Sequence, residues 1–278
     1  MKVICCGLDP AGLHLAALLK RSGAAQDVRI ISGSIGAEPP QYMAHPLRGE
    51  LRLSDETLRQ SIMAASRLAE GVRIRAPQGD WRTSGQTYAA IDAAVLTKLV
   101  LARAQEVGCV LTQSVSEDEC ASADLVIVAD GAASPIRSRH GEFGTTLTPS
   151  RLRHMLFDVD VASAHVEHWF HRTPHGVVHA SLTPTGAGGR LLVEAPQEMI
   201  ERAGLADPQA AAAFCAEAFA VGLGGAELHA KGGGWLAYVE VHNQSWSHGN
   251  MLLAGAAAYA AHHSIGLNAF TAMEDAEA

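Results

Sequence analysis

The chain has 278 residues, 48% of them hydrophobic and 18% charged, enough for one large or two small domains with a sizeable core. A net charge of −8 supplies no basic field to hold phosphates, which argues against nucleic acid as a partner. Five cysteines (Cys5, Cys6, Cys109, Cys120, Cys215) show no metal-type spacing, and their odd number fits reduced thiols in a cytoplasmic protein.

Residues 3–21 run from an apolar strand through a glycine turn into an apolar-periodic helix. This is the opening of a dinucleotide-binding βαβ unit. In such a turn the first glycine makes the bend, the second admits a pyrophosphate, and the third lets helix and strand pack closely. Gly7 and Gly12 hold the outer positions, and Asp9 holds the middle one. A carboxylate there is expected to oppose an anionic pyrophosphate by charge and by bulk. Asp9-Pro10 and Gly12 also break the apolar run, so no signal peptide is expected, and no stretch has the length of a membrane span.

Val28 to Gly33 reads as a short second strand, with Ser32, near its end, where a ribose-binding acid is expected. Residues 33–49 read as loop. A helix is expected over 53–68, with Ser54 as N-cap and Asp55 and Glu56 in its first turn. A second is expected over Ala93–Val107, ended by Gly108, and Cys109 opens a strand. Leu125 to Ala129 is a continuous apolar run, the mark of a central parallel strand. It leads into Asp130-Gly131 and on to Arg137. From Arg153 strand-like segments follow at 154–161, 166–171, 176–182 and 190–195. An alanine-rich helix is expected over 208–221 and a last buried strand over Asn250–Ala254.

Three ordered stretches then carry a resemblance. They are Gly7 to Arg21, Ala129 to Arg137, and Trp246 to Gly255 continuing through His263-Ser264-Ile265-Gly266 to Ala276. The chain resembles the flavin-dependent aromatic hydroxylases of the para-hydroxybenzoate hydroxylase fold. Within them it is most similar to the salicylyl-CoA and aminobenzoyl-CoA hydroxylase branch. The resemblance implies an α/β fold: a Rossmann-like FAD-binding domain with a parallel sheet (1–150 and 245–278) and a mostly antiparallel substrate domain (151–244). It implies a monooxygenase that uses FAD, with NAD(P)H as transient reductant, to hydroxylate a small aromatic substrate, in this branch a CoA thioester. The positions matching the cofactor motifs are Gly7, Asp9, Ala11, Gly12, Asp130, Gly131, Gly255, Ala256, Gly266, Leu267 and Asn268. On the substrate side they are His179 and His263.

Departures from the family pattern converge on the cofactor: Asp9 for Gly, Ser32 for an acid, Ala256 for Asp, and Asp92-Ala93 where an Arg is expected. A second reading follows, a flavin-free relative serving as a binding or partner subunit. Five histidines, His165, His168, His171, His175 and His179, invite a metal reading, yet no cysteine or acidic set completes a tetrahedral site and no metal is expected. His262 and His263 are expected to line the place of a flavin ring. Trp169, Trp235 and Trp246 are expected as core or interface aromatics. A terminal helix from Leu267 with an uncovered apolar face is expected to favour homo-oligomers.

Overall fold

A computed structural model describes residues 1–32, 44–48, 51–186, 188–262 and 269–278. The chain opens with β1 (Lys2–Cys6), α1 (Pro10–Arg21) and β2 (Asp27–Ile31), followed by β3 (Ala44–Arg48) and α2 (Glu56–Ala65). Short strands come next: β4 (Arg67–Ala69), β5 (Val72–Ala76), β6 (Gly79–Arg82) and β7 (Tyr88–Asp92). Then come α3 (Ala93–Glu106), β8 (Val110–Thr112), α4 (Glu117–Ala121), β9 (Leu125–Val128) and α5 (Pro135–Ser138). The second half holds β10 (Thr146–Val159), β11 (Val166–Thr173), β12 (Gly176–Thr185), β13 (Gly188–Pro196), α6 (Gln197–Arg202), α7 (Pro208–Ala218) and α8 (Ala220–Leu223). It closes with β14 (Leu228–His242), β15 (Ser247–His248), β16 (Met251–Leu253) and α9 (Ala269–Asp275).

Two large sheets organise these elements. The first has the order β15-β16-β9-β1-β2-β8 and is parallel throughout except for the β15–β16 hairpin. The expected strands at 3–6, 125–129 and 251–254 therefore share one sheet, with β9 at its centre. Its central strands β1, β2 and β9 are largely buried on both faces, and period-2 alternation sorts their side chains. Val3 and Cys5 join the core under α1, α3 and α9. Ile4 and Cys6 join a second core with Val126, Val128, Phe143 and Leu253. The other large sheet, β14-β10-β13-β12-β11-β5-β6, is antiparallel apart from the β11–β5 pair. Its outer face packs Met155, Phe157, Trp169, Ala180 and Val193 against α6, α7 and α8.

Several boundaries differ from the sequence expectation. Within the segment expected as loop, residues 44–48 form β3, which among the described residues pairs only with β7; an edge strand need not use every N–H, so it tolerates Pro46. The helix expected over 53–68 stops at Ala65, and Arg67–Ala69 pairs with β7 instead. Its N-cap is Asp55, whose carboxylate accepts the Leu58 N–H at 3.2 Å. Ser54 turns its hydroxyl to Arg21. The antiparallel sheet begins at Thr146, ahead of the change in texture near Arg153, because β10 pairs along its length with β14. The alanine-rich helix is split at Phe219 into α7 and α8. The terminal helix is covered, with Phe270 and Met273 fully buried in the core that α1 shares.

Candidate cofactor and substrate site

Three chain segments meet at the carboxyl ends of β1, β9 and β16. The first is the turn between β1 and α1. Gly7 has φ +114°, and a Cβ there would stand 2.0 Å from the Ala129 carbonyl oxygen, so only glycine fits. A Cβ on Gly12 would stand 2.2 Å from the Ala129 Cβ, the close helix–strand approach expected of the last glycine in the motif. Pro10 at the first helical position removes one N–H from the helix end, and Asp9 caps it.

The Asp9 side chain takes a different course from the one expected. Its Oδ1 accepts the Ala11 N–H at 3.0 Å, and its Oδ2 accepts the Ala256 N–H at 3.1 Å. The carboxylate thus ties the helix start to the third segment, the 3-10 turn Gly255–Ala257. It is 8% exposed. Burial pushes its pKa up, while the two N–H groups pull the other way.

The second segment is Asp130 to Arg137. Gly131 turns at φ +88°. Asp130 is buried, its Oδ2 accepts the Ile136 N–H at 3.3 Å, and its Oδ1 has no hydrogen-bond partner among the described residues. Burial raises its pKa. Arg137 is missing from the sequence-derived set although it ends the motif that carries it. Its buried guanidinium donates to the Ala257 carbonyl at 2.8 Å and the Ala132 carbonyl at 2.6 Å, pinning the two turns together. Asn243 adds donors to the carbonyls of Ala257 (3.1 Å) and Ala258 (2.6 Å). Ser32 bears no acid and gives its N–H to the Thr112 carbonyl. Asp92 caps α3 and pairs with Arg190 at 2.5 Å.

On the inner face of the antiparallel sheet, strand register builds a polar row. His154, Glu194, His179 and Phe170 stand opposite one another across β10, β13, β12 and β11. His179 Nδ1 lies 3.1 Å from Glu194 Oε2, and its Nε2 lies 3.0 Å from His168 Nδ1. His262 Nε2 reaches Glu194 Oε1 at 2.7 Å, so the buried carboxylate, 4% exposed, joins the sheet to the segment after β16. Burial pushes His154 and His168 down to about 4, and both are neutral near pH 7.

The five histidines do not form one group. His171 packs edge-on to Phe214 and Phe219, and only His168 and His179 touch. Parity along one strand does not carry over to the next; register does, and it sets His168 diagonal to His179. Among the described residues no group of three or more His, Cys, Asp or Glu could hold a metal ion, and no helix is long and apolar enough to cross a membrane. Trp169 is buried, Trp235 gives its N–H to the Leu205 carbonyl, and Trp246 is exposed. His263, Gly266, Leu267 and Asn268 lie outside the described residues.

A parallel sheet with a glycine turn leading into a helix start, beside an antiparallel sheet with a polar inner face, is the arrangement of a dinucleotide-binding fold. No family model matches the chain. A curated protein from Streptosporangium sibiricum, 3-hydroxy-4-methyl-anthranilyl-(aryl-carrier protein) 5-monooxygenase, is 30% identical over 292 residues, covering 100% of this chain and 78% of the relative. Salicyloyl-CoA 5-hydroxylase from Streptomyces sp is 27% identical over 299 residues; the chain spans 57% of its length. Among solved structures, 2-methyl-3-hydroxypyridine-5-carboxylic acid oxygenase in its tetrameric form superposes with TM-score 0.77 at 20% identity, over 99% of this chain and 80% of that one. PqsL from Pseudomonas aeruginosa, a probable FAD-dependent monooxygenase, gives 0.73 at 18% identity, over 100% and 84%. These structural likenesses carry the fold. The chain belongs to the FAD-dependent aromatic hydroxylases.

The residues present suit such a cofactor in one respect that the structure displays directly. The N–H groups of Ala11 and Ala256 converge on a single anion at the start of α1, and the anion they hold is a carboxylate of the chain itself. The donor set fits a diphosphate once Asp9 leaves it.

Proposed function

We propose that this protein is an FAD-dependent monooxygenase that hydroxylates an aromatic acid activated on CoA or on a carrier protein, with NAD(P)H as reductant. The observation that carries the reading is the convergence of the Ala11 and Ala256 N–H groups between the three motif segments, in a chain of this family. FAD, when bound, supplies the oxygen-transfer chemistry. Gly7 and Gly12 pack the first turn against Ala129 so that it faces the dinucleotide, and Gly131, Gly255, Ala256, Gly266, Leu267 and Asn268 complete its contacts. Asp130 offers a buried carboxylate oxygen to a hydroxyl of the cofactor. His179, held by Glu194 and His168, orients polar ring substituents on the substrate side together with His263. Residues 1–150 with 245–278 form most of the cofactor unit and 151–244 most of the substrate unit, to whose sheet β5, β6 and the first residues of β10 also belong. We place the protein in the cytoplasm, and self-association is part of the proposal, supported by the tetrameric form of the 2-methyl-3-hydroxypyridine-5-carboxylic acid oxygenase and not by the terminal helix, which is covered. None of the relatives named above is described as a flavin-free partner subunit.

The test supplies purified protein with FAD, NADH or NADPH, and salicyloyl-CoA. Oxidation of the nicotinamide is followed together with the mass of the aromatic product. Gain of one oxygen atom, dependent on FAD, is the expected result. Nicotinamide oxidation that never yields an oxygenated ring, across salicyloyl and aminobenzoyl thioesters, overturns the reading.

A further inference from the structure

We infer that the Asp9 carboxylate is an internal ligand of the dinucleotide cradle, and that FAD enters by displacing it. This rests on the FAD reading above and adds a residue that sets the affinity for the cofactor.

Three observations carry it. First, the carboxylate takes both kinds of donor that a diphosphate would use: the N–H of the second helical residue, Ala11, and the N–H of the turn residue Ala256. Helix α1 has few other donors to give, because Pro10 has no N–H and the Leu13 N–H is paired with the Asp9 carbonyl. Second, the fit is close. A Cβ built on Gly255 would stand 2.1 Å from Asp9 Oδ1 and 2.2 Å from its Cγ. The carboxylate therefore lies directly on the Gly255 backbone, and a phosphate group cannot share the space. Third, the Asp9 backbone is held at both ends. Its N–H bonds the Ala129 carbonyl at 3.2 Å and its carbonyl takes the Leu13 N–H at 3.0 Å. Only rotation of the side chain can clear the cradle. After rotation the carboxylate remains beside the anionic diphosphate, where like charge still opposes binding.

Occupancy by FAD then trades two charge-assisted hydrogen bonds within the chain for those to phosphate. The net gain is small, so the chain holds FAD weakly and is satisfied without it. A side chain that cannot span to Ala256 frees the cradle while leaving the fold intact. Serine is the informative replacement: it still caps α1, yet is too short to reach the Ala256 N–H. Asp9→Asn is the intermediate case, keeping size but losing charge and opposing an NH2 to the Ala256 N–H.

FAD and, separately, riboflavin are titrated into the wild-type chain, Asp9→Ser, Asp9→Asn and Asp9→Gly, with flavin fluorescence and thermal unfolding as readouts. FAD affinity is expected to rise by about ten-fold or more in Asp9→Ser and Asp9→Gly, and by less in Asp9→Asn. Riboflavin, which has no diphosphate, is expected to bind all four alike. Equal or weaker FAD binding by Asp9→Ser overturns the inference while leaving the FAD reading in place; weaker binding means that Asp9 holds the cofactor. An equal gain for riboflavin also overturns it, because the effect then lies outside the cradle. Failure of all four chains to bind FAD overturns the FAD reading and this inference with it.

Discussion

At the scale of single residues, two glycines at the first turn differ in why they are needed. Gly12 has an ordinary helical backbone but no room, whereas Gly7 lacks room and also sits at φ +114°. Gly12→Ala is expected to cost about 1–3 kcal/mol through overpacking against Ala129. Gly7→Ala adds backbone strain and collides with a carbonyl, so its cost is expected to exceed that of Gly12→Ala. Urea unfolding of both variants tests the order, and equal costs would refute it. Histidine burial has its own signature. His154 and His168 hold pKa values of about 4 in the folded chain against 6.5 for an unperturbed imidazole. The unfolded chain thus binds protons first as pH falls, and stability drops between about pH 6.5 and about 4. Asp9 and Asp130, raised by burial, act in the opposite sense: the folded chain takes up their protons first. Stability measured across that range should fall less in His154→Gln than in the parent; an unchanged slope would exclude His154 as a contributor.

At the scale of elements, α2 depends on one carboxylate. Asp55 caps the helix through the Leu58 N–H and pairs with Arg103 at 2.9 Å and Arg21 at 3.1 Å, so it joins α2 to α3 and α1. Its pKa is held below the usual range, the pull of Arg103, the Leu58 N–H and Arg21 outweighing burial. Asp55→Ala is expected to destabilise by about 2 kcal/mol, combining loss of a cap with loss of the links to Arg21 and Arg103, of which Arg103 keeps Glu106. Asp55→Asn should recover the cap but not the pairing, and lie between. Calorimetry or urea unfolding that finds the alanine variant as stable as the parent would refute this role. The same element shows how far local sequence reading reaches. Ser54, Asp55 and Glu56 all look like helix-start residues; the choice of Asp55 was made by Arg21 and Arg103, which sequence spacing does not bring near.

At the scale of the whole molecule, stability and cofactor are linked. A ligand that binds only the folded chain stabilises it by mass action, about 2.7 kcal/mol at a hundred-fold excess over Kd. The melting temperature should therefore climb with FAD concentration, with a larger rise in Asp9→Ser than in the parent at equal FAD. A melting temperature unmoved by saturating FAD in both chains would show that the cofactor does not bind the folded state. The turn Gly255–Ala257 is the point where this linkage acts. It is held from three directions, by Asp9, Arg137 and Asn243, and changes at any of these reach the others.

The amino-acid order alone determined the parallel sheet and its central strand. Apolar runs such as Val3–Cys6 and Leu125–Ala129 are buried on both faces, and a glycine turn followed by an apolar helix has few other uses. It also determined the glycines of the motif segments, because close packing against Ala129 at Gly7 and Gly12, and positive φ at Gly7, Gly131 and Gly255, demand that residue. Contacts between distant segments were decided only in the tertiary structure. Asp9 and Ala256 are separated by 247 positions, and nothing in either neighbourhood shows that the carboxylate turns inward to that N–H. His154, Glu194 and His179 become a row only once β10, β13 and β12 take their register. A polar side chain's partners are set by which strand lies beside it, and that is fixed by packing of the whole chain rather than by its local sequence.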